Sequence, residues 1–453
     1  MPCMLRSHVL LAVALVLIAA FDGRAADGPH TLRNDDACDI GLAPAATLLL
    51  PYFRVDVDRI TGPNTLFTIT NTGERAQVAR VTLWTDFAYP VLTFDLYLTG
   101  YDVQSINLYD VIARGIIGGD RGTGVDVSPV GAEAKRNPLL DRSNCGELPH
   151  RIDPALVTQL KSAFIEGEVP GCPTAGHAHE NAVGYATIDV VGNCAPGRGP
   201  TDPLYFSQDI RYDNVLIGDS IVVNAGDGFA QATPMVHIRA IPEGGTPRTR
   251  LPGPLPRLER TFYGRFQDPS DPHLDARQPL PSRFAARWIN AGRATFGTTF
   301  QVWRDGVTGR DASCAAYLQN GGMVAVESVA FDEDENGQGV PDPQIIVLPI
   351  GDEKIRLPAT SLFQAGDDDI LPQQLFHENL GGWVYLNLDD GEDDDGRGAH
   401  QNWVTVRMEG EERYSVAFDA AWLGNGCTPA APVSRFTEDG SNTLPGPADD
   451  VNP

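Results

Sequence analysis

Residues Val91 to Leu98 (VLTFDLYL) alternate apolar and polar positions. Leu92, Phe94, Leu96 and Leu98 point one way, and Thr93, Asp95 and Tyr97 the other. A period of two marks a strand with one buried and one wet face. Segments 46–55, 65–70, 77–85 and 103–109 have the same character, with turn residues such as Asn71-Thr72-Gly73 between them. Short strands at that spacing predict a β-sandwich. One helix is expected over 153–165, where Asp153 can cap and Pro154 suits the first helical position.

The stretch 242–257 (PEGGTPRTRLPGPLPR) has no apolar period and reads as a linker. Strand-like segments resume at 284–304, 323–331, 344–349, 382–388, 402–408 and 414–422. The polar, Pro- and Asp-rich run 428–453 reads as a disordered tail. The expected fold is therefore all-β, with two related immunoglobulin-like β-sandwich modules, 38–241 and 258–427, joined by the linker.

The relation between the halves rests on scarce residues at fixed spacing. Asn71-Thr72-Gly73, ten residues, then Trp84-Thr85-Asp86 parallels Asn290-Ala291-Gly292, ten residues, then Trp303-Arg304-Asp305. His179-Glu180-Asn181 before GYATIDV parallels His377-Glu378-Asn379 before GWVYLNL, each with two residues between. This matching equates Trp84 with Trp303. It also expects the Asn-x-Gly turns to use positive φ, followed by a strand anchored by tryptophan.

The runs LLLPYFRVD, TLFTITNT, VARVTLWTD and FDLYLTGYDV resemble a group of uncharacterised secreted bacterial proteins with β-sandwich modules. The resemblance covers mainly 46–112 and, more weakly, 402–427. It implies an exported sandwich protein and carries no activity, cofactor or catalytic residue.

The N-terminus agrees with that address. Arg6 precedes a thirteen-residue apolar run, Val9 to Phe21, and small residues follow at Gly23 and Ala25. Such a run suits a signal peptide, 1–25, and is short of the about 20 residues that span a membrane. No membrane span is expected elsewhere. The net charge of −26, with only three lysines, argues against a nucleic-acid partner, because phosphate contacts need clustered cations.

Beyond the signal, the cysteines are Cys38, Cys145, Cys172, Cys194, Cys314 and Cys427. An even count without CxxC reads as three disulfides rather than zinc. If each module folds alone, Cys314 pairs with Cys427, and the other four have three possible connectivities.

The segment 332–342 (DEDENGQGVPD) is the candidate ion site. Oxygen ligands on a tight loop can converge on calcium, and Asp332, Asp334, Asn336, Gln338 and Asp342 are the candidate ligands. From Asp334 onward the spacing resembles thrombospondin type 3 loops, with Asn336 and Gln338 replacing carboxylates. As an EF-hand it fails, since Pro343 stands where the bidentate Glu belongs. A solvated acidic turn is the simpler alternative. Further acidic runs, Asp367 to Asp369 and 389–395, could gather at the same end of the second module.

His177-Ala178-His179 suggests a metal pair on one strand face, but the counterpart of His177 is Leu375. Gly218-Asp219-Ser220-Ile221 resembles the nucleophile block of GDSL-type hydrolases, without the later Asp-x-x-His that family needs; its flanks read as a strand interrupted by a turn. The resulting expectation is a secreted or cell-surface binding or structural protein, calcium-stabilised, with an extracellular protein or carbohydrate as partner. The competing expectation is an extracellular hydrolase acting on polysaccharide or ester with acidic-loop carboxylates.

Overall fold

The computed structural model describes residues 42–118, positions 137, 140, 141, 143 and 145, and residues 151–240 apart from 195, 196 and 227. Beyond these it describes 261–266, 275–289 apart from 276 and 282, 296–306, 313–317, 327–334, 337–339, 348–350, 353–355, 360–364, 380–388, 401–410 and 414–422. The expected signal peptide, linker and tail lie outside these residues, as do Cys38 and Cys427.

The first half contains β1 (Thr47–Val55), β2 (Pro63–Asn71), β3 (Gln77–Thr85), β4 (Pro90–Leu98) and β5 (Val103–Asn107). Two helices follow, α1 (Leu108–Arg114) and α2 (Pro154–Ile165), then β6 (Ala182–Val191), β7 (Leu216–Asn224), β8 (Phe229–Pro234) and β9 (Val236–Ile238). The second half contains β10 (Arg283–Ile289), β11 (Phe296–Arg304), the single turn α3 (Cys314–Tyr317), β12 (Glu327–Asp332) and β13 (Gly337–Gly339). It continues with β14 (Leu348–Ile350), β15 (Glu353–Ile355), β16 (Thr360–Gln364), β17 (Gly381–Asn387), β18 (Asn402–Gly410), β19 (Tyr414–Asp419) and β20 (Ala421–Trp422).

The all-β expectation holds: the strands form antiparallel sheets. In the first half the orders are β4-β3-β6-β1-β9 and β5-β2-β7-β8. In the second they are β13-β12-β17-β10-β20 and β16-β11-β18-β19. Passing over the β14–β15 hairpin, the second half has the strand order of the first. Two glycines occupy the corresponding place. A Cβ at Gly184 on β6 would strike the Trp84 carbonyl and come within 2.8 Å of the Phe53 ring. One at Gly382 on β17 would strike the Phe331 carbonyl and come within 2.8 Å of the Trp288 ring.

That order corrects one expected match. Trp84 lies on β3 and Trp303 on β11, whereas the strand orders pair β3 with β12 and β2 with β11. Trp84 therefore does not correspond to Trp303. A turn followed by a nine-residue strand recurs at many hairpins, so the spacing alone had no power to fix the register. The Asn71 turn also works differently: its Oδ1 accepts from Gly73 N at 3.0 Å, and its Nδ2 donates to the Arg75 and Thr99 carbonyls. Among the described non-glycine residues, positive φ falls on Ala88 and Tyr101.

Leu48, Leu50, Val81, Phe94 and Ile188 of one sheet pack with Phe67, Ile69, Ile106 and Leu216 of the other to form the first core. The second apolar cluster takes residues from both halves: Trp84, Tyr97 and Tyr185 join Phe284, Trp288, Val302, Trp303 and Val404. The sheet containing β3 is thus covered on both faces. Asp95 and Tyr97, expected on a wet face, are 3% and 4% exposed.

Buried charge on that outer face is paired. Arg80 forks onto Asp95 at 2.7 and 2.9 Å and reaches Asp209 at 2.9 Å. Asp189 accepts from the hydroxyls of Thr47, Tyr205 and Tyr263 at 2.5, 2.5 and 2.8 Å. Burial, with Asp189 beside them, pushes both tyrosine hydroxyls well above their ordinary range.

The helix over 153–165 forms as expected, with the Asp153 carboxylate accepting from Ala155 N at 2.7 Å. The expected strand 103–109 stops at Asn107, whose side chain caps α1 by accepting from Tyr109 N at 3.0 Å. Gly115, at φ +66°, ends that helix.

Candidate functional site

The β3–β4 turn is the nucleus of the site. Thr85 N donates to the Tyr89 carbonyl at 2.9 Å, and Thr85 Oγ1 accepts from Tyr89 N at 3.1 Å while donating to the Ala175 carbonyl. Ala88 takes φ +60° to close the loop. These bonds fix Asp86 inward and Tyr89 outward. The loop after α2 closes on itself at Gly167 (φ +73°), where a Cβ would strike the Gly176 carbonyl, and lies against the turn at Gly176, where a Cβ would come within 2.7 Å of the Asp86 carboxylate.

Asp86 is fully buried and is the point on which His177 and His179 meet. Its Oδ2 lies 3.2 Å from His177 Nδ1 and 2.9 Å from His179 Nε2, and its Oδ1 accepts from His177 N at 3.1 Å. An ionised carboxylate only accepts, so both facing ring nitrogens carry their protons. Burial alone raises the Asp86 carboxyl, but the two histidine bonds outweigh it and hold the group below its ordinary range.

Next to this clamp the disulfide Cys172–Cys314 ties the first half to the second. The expected Cys314–Cys427 pair is thereby corrected: the halves share a core, so their cysteines need not pair within one module. Cys145 and Cys194 form the other described bridge, inside the first half. Thr174 Oγ1 sits 3.2 Å from Cys314 Sγ. The disulfide forms one wall of an open cavity of about 260 Å³, with Tyr89, Pro90, Pro170, Thr201 and Tyr317 around it. Tyr89 and Tyr317 meet edge to face at 4.8 Å. Burial raises the Tyr317 hydroxyl.

Deeper in the seam the rings are continuous. Trp84 stacks on Tyr185 at 5.7 Å, Tyr185 meets Trp303 edge-on at 5.7 Å, and Phe262 stacks on Trp303 at 5.8 Å. Burial pushes the Tyr185 hydroxyl up to about 12.

The candidate calcium ligands occupy different surroundings. Asp332 ends β12, and its Oδ1 accepts from Asp334 N at 2.9 Å in the turn toward β13. Gln338 is a ladder residue of β13 opposite Ala330. Asn336 and Asp342 lie outside the described residues, as do Asp367 to Asp369 and 389–395. Among the described residues, no group of three His, Cys, Asp or Glu side chains is placed to hold a metal. His177 and His179 precede β6 in a loop rather than sharing a strand face, and their rings are bound to Asp86.

Ser220 lies within an unbroken β7 and donates to the Thr233 carbonyl at 3.2 Å, so no turn exposes it as a nucleophile. Asn181 is nearly buried, and its amide oxygen accepts from Arg54 Nε and Nη2 at 3.2 and 2.8 Å. It thus serves the Arg54 side chain. The sequence marked both Trp84-Thr85-Asp86 and His179-Glu180-Asn181, yet nothing in it joined them. Tyr89, Tyr317 and the Cys172–Cys314 bond carried no local signal at all.

No family model, curated protein or solved structure matches the chain.

Proposed function

We propose that this is an exported binding protein built from two copies of one immunoglobulin-like sandwich unit, in the broad sense of two antiparallel sheets packed face to face. With the β14–β15 hairpin passed over, the first strand of each half pairs with its sixth strand rather than its second, so the unit has its own strand order. The repeated order and the matched glycines support a duplication. The two disulfides suit an oxidising compartment outside the cytoplasm. Among the described residues no helix is long and apolar enough to cross a membrane.

One observation carries the binding role: the cavity walled by the inter-half disulfide, Tyr89 and Tyr317. At about 260 Å³ it falls just below the roughly 300–1,000 Å³ of sites that enclose drug-sized ligands. It suits a single ring of an extracellular glycan, with Tyr89, Tyr317, Pro90 and Pro170 for packing and Thr201 for a hydroxyl contact. A glycan array probed with the intact protein tests this. Binding that disappears in Tyr89→Ala at unchanged melting temperature supports the role, and an array without any hit removes it.

Calcium at Asp332, Asp334, Asn336, Gln338 and Asp342 is proposed as an additional stabiliser of the second half. Binding only to the folded state raises its stability by linkage. A melting temperature unaffected by calcium or chelator would withdraw this part.

A further inference from the structure

The two described disulfides have unlike surroundings. Cys145 and Cys194 are 2% and 1% exposed and belong to the apolar cluster shared by the halves. Cys172 and Cys314 line the open cavity of about 260 Å³, and Cys314 is partly exposed. Thiol exchange begins when a thiolate reaches one sulfur, so access separates a labile bond from a structural one. A polar group also stands beside this pair. Thr174 Oγ1 lies 3.2 Å from Cys314 Sγ and 4.0 Å from Cys172 Sγ. With the bond closed it donates to the Cys314 carbonyl at 3.3 Å, and it can turn to a sulfur that becomes a thiolate.

The hold of this bond is local. Trp84, Tyr185 and Trp303 pack across the halves without it. Cys172 is fixed in its own loop, where it and Val169 exchange backbone bonds at 2.8 and 2.9 Å. Cys314, by contrast, opens the single turn α3, whose last residue is the cavity wall Tyr317. One helical turn is marginal on its own. Its described ties to the first half include the disulfide, the Thr174 hydroxyl and the edge-to-face contact with Tyr89.

We propose that Cys172–Cys314 is a thiol-exchange site, reduced by a dithiol entering the cavity, and that its opening frees α3 from the first half. A thiolate of the dithiol attacks Cys314 Sγ. A new S–S bond forms there as the Cys314–Cys172 bond breaks, and the electron pair leaves on Cys172 Sγ, within reach of the Thr174 hydroxyl. The second thiolate of the dithiol then attacks its own sulfur in the mixed bond and expels Cys314 as a thiolate. Both cysteines end as thiols, carrying the two protons that the dithiol gave up. The protein gains two electrons and the dithiol becomes a disulfide. The shared core keeps the halves together, so the change is confined to one wall of the cavity. This holds whether or not the cavity takes a glycan.

For the test, the folded full chain is treated without denaturant with dithiothreitol or with a reduced CxxC oxidoreductase, then alkylated and mapped by mass spectrometry. Cys172 and Cys314 should open at least about tenfold faster than Cys145 and Cys194. Opening by dithiothreitol alone assigns the site to small dithiols, and opening by both extends it to protein dithiols. Thr174→Val should slow the reaction by about three- to tenfold, and Thr174→Ser should restore it. After reduction, amide hydrogen exchange over 314–317 should rise while that of β3 and β11 stays unchanged. Equal opening rates for the two bonds, or unchanged exchange over 314–317, overturns the proposal.

Discussion

The two halves have the same strand order but different surroundings. β1 in the first half is buried at every position but Arg54, whereas its counterpart β10 in the second alternates, with Arg287 and Ile289 exposed. The first sheet has a core on one side and the seam on the other, so polar residues on its outer face must find partners inside the protein. Hence Arg80 is tied to Asp95 and Asp209, and Asp189 to three hydroxyls. A strand's alternation reports its own sandwich, but what covers the far face is decided by segments distant in sequence.

The largest test of this difference is Arg80→Met against Arg287→Met. The first takes Arg80 away from two buried carboxylates, Asp95 and Asp209, of which Asp209 keeps Arg198 at 3.1 Å, and should cost about 3–5 kcal/mol in chemical denaturation. The second changes an exposed position and should stay within about 0.5 kcal/mol. Equal losses would mean that the outer faces are not differently covered.

Next in size is Gly184→Ala beside Gly382→Ala. In each case the added methyl meets a backbone carbonyl and an aromatic ring, neither of which yields easily. Each should cost about 1–3 kcal/mol. A tolerated change at one position and a severe one at the other would break the proposed correspondence of β6 with β17.

The smallest effect concerns acid. Asp86 in the first half sits below its ordinary range, so its contribution is present above the unfolded pKa and is lost as pH falls through the folded one. Asp419 in the second half is raised, chiefly by burial that Trp403 and Thr405, neutral donors, do not overcome. Its contribution is present below the unfolded pKa and is lost as pH rises through the folded one. Asp86→Asn should flatten the acid limb of the stability profile, and Asp419→Asn should steepen it. Parallel shifts in the two variants would contradict the assignment.

Much of the architecture was legible. β3 runs over 77–85 as read, β1, β2 and β4 begin and end close to their expected bounds, and Asp153 caps α2. Periodicity and capping are local, and local signals survive in sequence. The misses involve long-range events. Asp95 looked solvent-facing because its partners Arg80 and Asp209 lie elsewhere in the chain. Cys314 was assigned to Cys427 by assuming independent modules, an assumption that the shared core removes. The candidate site needed Asp86, His177, His179, Tyr89 and Tyr317 brought together from three separate segments. The short helix α1 was hidden because Asn107 both ends a strand and starts a helix.

The bridge from Cys172 to Cys314 also sets an order of events during synthesis. Its partners stand 142 residues apart, so Cys172 waits as a free thiol while Cys145 and Cys194, 49 residues apart, are already close enough to join. Until the second half emerges, Cys172 can attack its neighbours' bond by thiol exchange. Efficient maturation then depends on the early pair burying itself quickly, or on a catalyst that reshuffles mispaired bonds before the last sheet closes over them.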